Sequence, residues 1–265
     1  MTKTIILFDI GNTNIKIGFA GRDGIVSQFS LPTDARQTAD GLGLAFAGLC
    51  RHAHVDIAEV EACVASSVAP AVASVAREAC QRFLGKAMLF APEDIPIPLE
   101  NKYERPQEVG ADRLVGAYAA RKCMPDAASL ISVDYGTATT FDCVTGNTYL
   151  GGLICPGLFS SVEALANRTA KLPRIALDVA SLEPAFGRST AESINHGFIF
   201  GFAAMTEGLC ARLAQKLPAP VRVIGTGGFA ESIARVATCF DEVRPDLLLE
   251  GLRLLYLKQQ GEGMV

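Results

Sequence analysis

The chain has 265 residues, 49% of them apolar and 20% charged, with a formal net charge of −4. That balance excludes a disordered chain and leaves room for one large domain or two small ones. The signs are mixed without a basic stripe, which argues against nucleic acid as a partner, and Met1 to Thr4 lead into an apolar run too short for a signal peptide or a membrane span, so a cytoplasmic location with no membrane partner is expected.

Thr4 to Phe8 reads as a buried strand, and a Gly-Asn turn leads into Asn14 to Phe19, whose alternation suits a half-buried hairpin partner. After the tight-turn signal Arg22-Asp23-Gly24, Ile25 to Leu31 supplies a third strand of the meander. Ala35 to His52 has helical spacing, Val60 to Ser67 returns to strand character, Pro70 to Phe83 reads as helix and Ala87 to Phe90 as a short strand. The proline-rich stretch Pro92 to Pro98 is a loop, and a helix begins at Asp112.

The same grammar then starts again. Ser129 to Val133 is a buried strand, Thr139 to Val144 its hairpin partner, and Asn147 to Ile154 the third strand. Helices are expected over Leu158 to Ala170 and Ala191 to Leu217, a strand at Val221 to Ile224 ending in Gly225-Thr226-Gly227-Gly228, and a last helix at Leu247 to Leu257. The repeat places a boundary near Cys123 to Ala127, where Pro125-Asp126 interrupts a helix, giving halves 1–124 and 125–265. The eight cysteines are scattered without a Cys-x-x-Cys pair or histidines at zinc spacing, so they read as reduced, mostly buried thiols.

Each half opens with an apolar strand, an aspartate and a glycine-threonine turn: Asp9-Ile10-Gly11-Asn12-Thr13-Asn14 and Asp134-Tyr135-Gly136-Thr137. Glycine lets a phosphate approach the backbone, successive amides form an anion-binding concavity, and the aspartate suits a hydrated magnesium that bridges phosphate oxygens. Either turn alone is also an ordinary hairpin turn. Their recurrence, with Gly225-Thr226-Gly227-Gly228 after a late strand, points to a nucleotide held from both halves.

Asp9-Ile10-Gly11-Asn12-Thr13, Gly110-Ala111-Asp112-Arg113, Asp134 to Thr140, Gly151-Gly152 with Pro156-Gly157, and Thr226-Gly227-Gly228 together resemble the ordered motifs of type III pantothenate kinases, from Asp9 to about Phe229. That family belongs to the acetate and sugar kinase, Hsp70 and actin superfamily. The resemblance implies an α/β chain with a duplicated ribonuclease H-like fold, two similar domains with a nucleotide cleft between them. It also implies phosphorylation of pantothenate by ATP to phosphopantothenate, the first step of coenzyme A synthesis, in a cytoplasmic homodimer.

By the same resemblance Asp9, Ile10, Gly11, Asn12, Thr13, Asn14, Ile15 and Lys16 carry the first ATP loop and Thr137 the second. Asp112 is the general base, and Tyr103, Gly110, Ala111, Asp112, Arg113 and Thr190 contact pantothenate. Asp134 holds an activating monovalent cation, potassium or ammonium, beside the magnesium that accompanies ATP. Other readings stay open residue by residue. Asp112 suits a helix N-cap, Arg113 a surface pair with Glu108 or Glu104, Tyr103 an anchor for its loop, Asp134 a strand-end turn and Thr190 a cap for the helix at Ala191. Gly116 and Tyr135 depart from the family's usual asparagine and phenylalanine. Two rival classes remain: a kinase or phosphatase of the superfamily with another substrate, and a regulator that keeps the fold without the chemistry.

Overall fold

The computed structural model describes residues 3–168, 172–173, 175–179 and 181–261. The chain runs β1 (Thr4–Ile10), β2 (Asn14–Ala20), β3 (Ile25–Pro32), α1 (Ala39–His52), β4 (Val60–Ser67), α2 (Pro70–Ala79), β5 (Met88–Phe90), β6 (Glu100–Asn101) and α3 (Ala111–Cys123). It continues β7 (Ser129–Tyr135), β8 (Ala138–Thr145), β9 (Thr148–Pro156), α4 (Leu158–Arg168), α5 (Thr190–Ala214), β10 (Val221–Gly227), α6 (Ala230–Ala234), β11 (Glu242–Val243) and α7 (Leu247–Gln259).

The first sheet has strand order β3-β2-β1-β4-β5, the second β11-β10-β7-β8-β9-β6. Apart from β6, one order is the other: an antiparallel meander whose first strand pairs in parallel with a later strand, and that with one more. The duplication read from the turns is therefore present strand for strand.

Alternation decides what each face of the first sheet buries. Ile6, Phe8 and Ile10 point to one side and pack with Leu42, Phe46 and Cys50 of α1 and Val72, Ala76 and Ala79 of α2. Ile5 and Leu7 point to the other and meet Val115 and Tyr118 of α3 and Leu249, Leu252, Leu255 and Tyr256 of α7. Each of the large aliphatic and phenylalanine side chains here contributes about 1.5–3 kcal/mol when removed from water. The close approach of α7 to α3 requires Gly251, since a Cβ there would stand 2.8 Å from Val115 Cγ1. On the second sheet Ile131, Val133 and Tyr135 pack against Ile199, Ala203 and Cys210 of α5.

By contact the chain separates along other lines than the halves 1–124 and 125–265. One compact unit gathers the described residues of Met1–Leu99, Arg105–Ala119 and Leu248–Val265, the other Glu100–Glu104 and Ala120–Leu247. Two packing events account for the difference: α7 returns its leucines to the first sheet, and Glu100 and Asn101 pair with Thr148 and Tyr149 of β9.

Helix limits follow their caps. Thr38 Oγ1 accepts from Gly41 N at 3.1 Å, so α1 begins at Ala39 rather than at Ala35. α2 enters through Pro70, passes at Cys80 into a π turn and stops at Gly85, whose φ of 64° an L side chain seldom adopts. The last two residues of the helix expected at Leu158 to Ala170 lie outside the described residues.

Among the described residues, α5 alone is long and apolar enough by length and composition to cross a membrane. Its buried residues Ile199, Ala203, Thr206 and Cys210 recur every three or four positions and face the second sheet. All eight cysteines are free thiols, with Cys123, Cys155 and Cys239 half-buried and the rest buried.

Candidate active site

In the first unit the chemistry-bearing residues collect at the carboxyl ends of β1 and β4. Asp9 is the penultimate residue of β1, opposite Lys16 of β2 and Ser66 of β4. After Ile10 the chain turns: Gly11 N donates to Asn14 O at 3.0 Å, and a Cβ at Gly11 would lie 3.0 Å from that oxygen. Thr33 fastens the turn from β3's end, its Oγ1 donating to Gly11 O at 2.8 Å and its N–H to Thr13 O at 2.9 Å. Asn12, Thr13 and Asn14 are exposed and Asp9 and Lys16 half-buried, whereas Ile10 and Ile15 are core residues that can offer a ligand only their backbone.

Gly110 to Arg113 sit at that same end. Val68, just past β4, donates to Ile10 O at 3.1 Å, and a Cβ at Gly110 would be 3.4 Å from Val68 Cγ1 and would collide with Asp112 Oδ1. The Asp112 carboxylate thus lies over the bare glycine. α3 starts at Ala111, so Asp112 is a first-turn residue inside the helix and not its cap; its Oδ1 accepts from Arg113 N at 2.8 Å. Burial raises the Asp112 carboxyl above its ordinary value, and the Arg113 hydrogen bond and charge offset this only in part. A half-buried carboxylate with elevated proton affinity at a helix N-terminus can orient a hydroxyl and take its proton. Glu108, one surface partner considered for Arg113, is engaged by Arg105 at 2.9 Å.

In the second unit three glycines from two motifs, Gly157, Gly227 and Gly228, converge on Asp134 to Thr137. Gly227 has φ 89°, and a Cβ there would meet Asp134 Oδ1 and stand 2.7 Å from Tyr135 N. Gly228 N donates to Tyr135 O at 3.2 Å. From the other side, a Cβ on Gly157 would collide with Thr137 O and stand 2.9 Å from Gly136 O. Ser160, in the first turn of α4, donates from Oγ to Thr137 O at 2.9 Å. Gly136 and Thr137 remain exposed at the tip, where their polar groups can meet an anion.

Tyr103 is carried by the β6 to β9 pairing, its N–H donating to Asn101 Oδ1 at 3.0 Å. Its ring lies on Gly151, where a Cβ would be 3.3 Å from Cδ2 and where φ is 107°. Thr190 does not take the alternative role of helix cap. Ser189 caps α5, its Oγ accepting from Glu192 N at 3.2 Å, and Thr190 is the first helical residue. Thr190 stands on an apolar groove of about 480 Å³ between α4 and α5, with Leu165, Ile194, Phe198 and Met205.

Among the described residues no group of three or more His, Cys, Asp or Glu could hold a metal ion. A cation here would have one carboxylate and otherwise backbone and ligand oxygens, the donor set of hydrated magnesium or a potassium-type ion rather than of zinc. Thr33, Ser66 and Ser160 escape a reading of the sequence because their importance comes from strand register and from a turn docking on a helix start.

Against known proteins, the family model described as type III pantothenate kinase matches residues 5–212. A type III pantothenate kinase of Oleidesulfovibrio alaskensis is 61% identical over 263 residues, covering 99% of this chain and 100% of that protein. One from Nitratidesulfovibrio vulgaris is 62% identical over 259 residues, covering 98% and 99%. Among solved structures, the ROK hexokinase of Thermus thermophilus matches with a TM-score of 0.51 at 18% identity over 97% of this chain and 99% of that one, a likeness of fold.

Proposed function

The chain belongs to the type III pantothenate kinases, and from that premise we propose how its residues divide the transfer of a phosphoryl group from ATP to pantothenate. It is a phosphotransferase of the actin, Hsp70 and sugar-kinase fold that phosphorylates pantothenate, the opening step of coenzyme A biosynthesis. The observation that carries the residue-level reading is Asp112, a carboxylate of raised proton affinity seated on Gly110 beside the Asp9 turn.

The Asp9 to Lys16 loop, chiefly through the hydroxyl and amide side chains of Asn12, Thr13 and Asn14, binds ATP phosphates, and Thr137 is a further ATP contact. Gly110, Ala111, Asp112 and Arg113 hold pantothenate: Arg113 matches a carboxylate in two-point geometry, and Tyr103 covers the apolar middle of the substrate. Thr190 is a further substrate contact. The transition state of phosphoryl transfer is loose, so positioning the acceptor hydroxyl outweighs removing its proton. Asp112 therefore orients that hydroxyl and receives its proton late. Magnesium, when bound with ATP, neutralises phosphate charge; Asp9, a hard oxygen donor at the turn, suits its hydration shell. Asp134 holds potassium or ammonium. The enzyme works in the cytoplasm as a homodimer, and the apolar groove between α4 and α5 supports a second copy as its cover.

A coupled assay of ADP release, with pantothenate, glycerol or a hexose as acceptor and potassium, ammonium or sodium as the salt, tests this reading. Turnover confined to pantothenate and stimulated by potassium or ammonium is expected; equal turnover of a hexose would sink it.

A further inference from the structure

We infer that Ser66 is a positioning residue for the Asp9 carboxylate, donating its hydroxyl to Asp9 when MgATP is bound. Ser66 is fully buried, and its Oγ has no hydrogen-bond partner. A buried hydroxyl left unbonded costs stability, so its presence calls for a use. Register supplies one. Ser66 is directly opposite Asp9 in the parallel β1 to β4 pair, on strands about 4.8 Å apart. Alternation puts both on one face: Asp9 has the parity of Ile5 and Leu7, and Ser66 that of Ala62 and Val64, all four in the cluster under α3 and α7.

The second unit repeats the arrangement independently. In the parallel β7 to β10 pair, Asp134 stands opposite Thr226, another buried hydroxyl. Two strands of unrelated local sequence, Val-Ala-Ser-Ser and Ile-Gly-Thr-Gly, thus bring a β-hydroxyl to the same station beside the aspartate of the turn. Among the described residues, the other buried hydroxyl without a hydrogen-bond partner, Thr139 Oγ1, pairs in register with Tyr135 instead of a carboxylate, and Ile15 holds the matching position beside Ile10. Both turn aspartates thus face a buried hydroxyl across a parallel strand pair. A hydroxyl donor fixes the rotamer of the Asp9 carboxylate and leaves its other lone pairs for water on the cation.

This inference deepens the proposed function and rests on it only through MgATP binding. Calorimetry on the full chain compares wild type, Ser66→Ala, Ser66→Thr and Ser66→Cys, with MgATP, with ATP in EDTA and with pantothenate. Ser66→Ala is expected to weaken MgATP binding about tenfold, the effect of losing one hydrogen bond to a charged group, while ATP in EDTA and pantothenate bind as before. Ser66→Thr restores most of the loss; Ser66→Cys, shaped like serine but a weaker donor, does not, and it carries the comparison should the alanine variant not fold. Because the hydroxyl is unbonded without ligand, Ser66→Ala melts no lower than wild type. Unchanged MgATP binding in Ser66→Ala, or an equal loss in EDTA, overturns the inference. Wild type that binds MgATP yet turns over no pantothenate counts against the substrate reading alone.

Discussion

Gly227 is the seat of the Asp134 carboxylate. With φ at 89° and no Cβ, it lets the turn after β10 pass against Asp134 Oδ1 and the Tyr135 backbone. Gly227→Ala adds left-handed strain of about 1–2 kcal/mol and a collision with the Asp134 carboxylate and the Tyr135 backbone. The expected outcome is loss of stimulation by potassium or ammonium, in parallel with Asp134→Asn. Kinetics across a potassium titration check it, and a Gly227→Ala enzyme with an unaltered potassium response would contradict it.

Asp112 links stability to activity. Its folded carboxyl is raised by burial, so the fold favours the protonated form. The cost is absent at pH below the unfolded value, sets in as pH rises through it and is complete above the folded value. Asp112→Asn removes that cost. It should melt higher than wild type near neutrality, with the gap closing in acid, while turnover drops on the order of a hundredfold or more and ATP affinity holds. Melting curves from pH 4 to 7 and single-substrate kinetics read both. Unchanged turnover would remove Asp112 from the role of base.

Tyr103 should matter through the glycine beneath it. Gly151→Ala places a Cβ against the ring at a positive φ, shifting Tyr103 without altering it. The expected signature is a raised KM for pantothenate with KM for ATP unchanged, matched by Tyr103→Ala. A change confined to the KM for ATP would place Tyr103 elsewhere.

Tyr135 and Thr206 tie α5 to β7 through a buried hydroxyl pair 2.6 Å apart. Thr206→Val leaves the phenol without its partner and should cost about 1–3 kcal/mol, seen in denaturant midpoints. Tyr135→Phe together with Thr206→Val should recover most of it. This bond also gives Tyr135, where the resemblance led to the expectation of phenylalanine, a physical use.

The strands and long helices were legible because their apolar spacing is strong: β1 to β4 and β7 to β9 fall within a few residues of the pattern. β6 and β11 have two residues each, too few to show a period. The place of α7 on the first sheet was not legible either, since nothing in Leu247 to Leu257 says which sheet its leucines cover. At the site, the turns announced themselves by residue type. Asp112 carried a base reading and a cap reading, and the helix start at Ala111 removes the cap. Thr190 carried a substrate reading and a cap reading, and the cap is Ser189. Ser66 was silent, because its meaning is a register.

The proposed role of Asp112, seated over Gly110, is to act on pantothenate while ATP is held at the Asp9 turn. The most direct measurement is pantothenate-dependent ADP release by wild type and Asp112→Asn at saturating ATP and potassium. Steady release by wild type and near-baseline release by a folded, ATP-binding Asp112→Asn are expected; equal release by the two would remove Asp112 from this role.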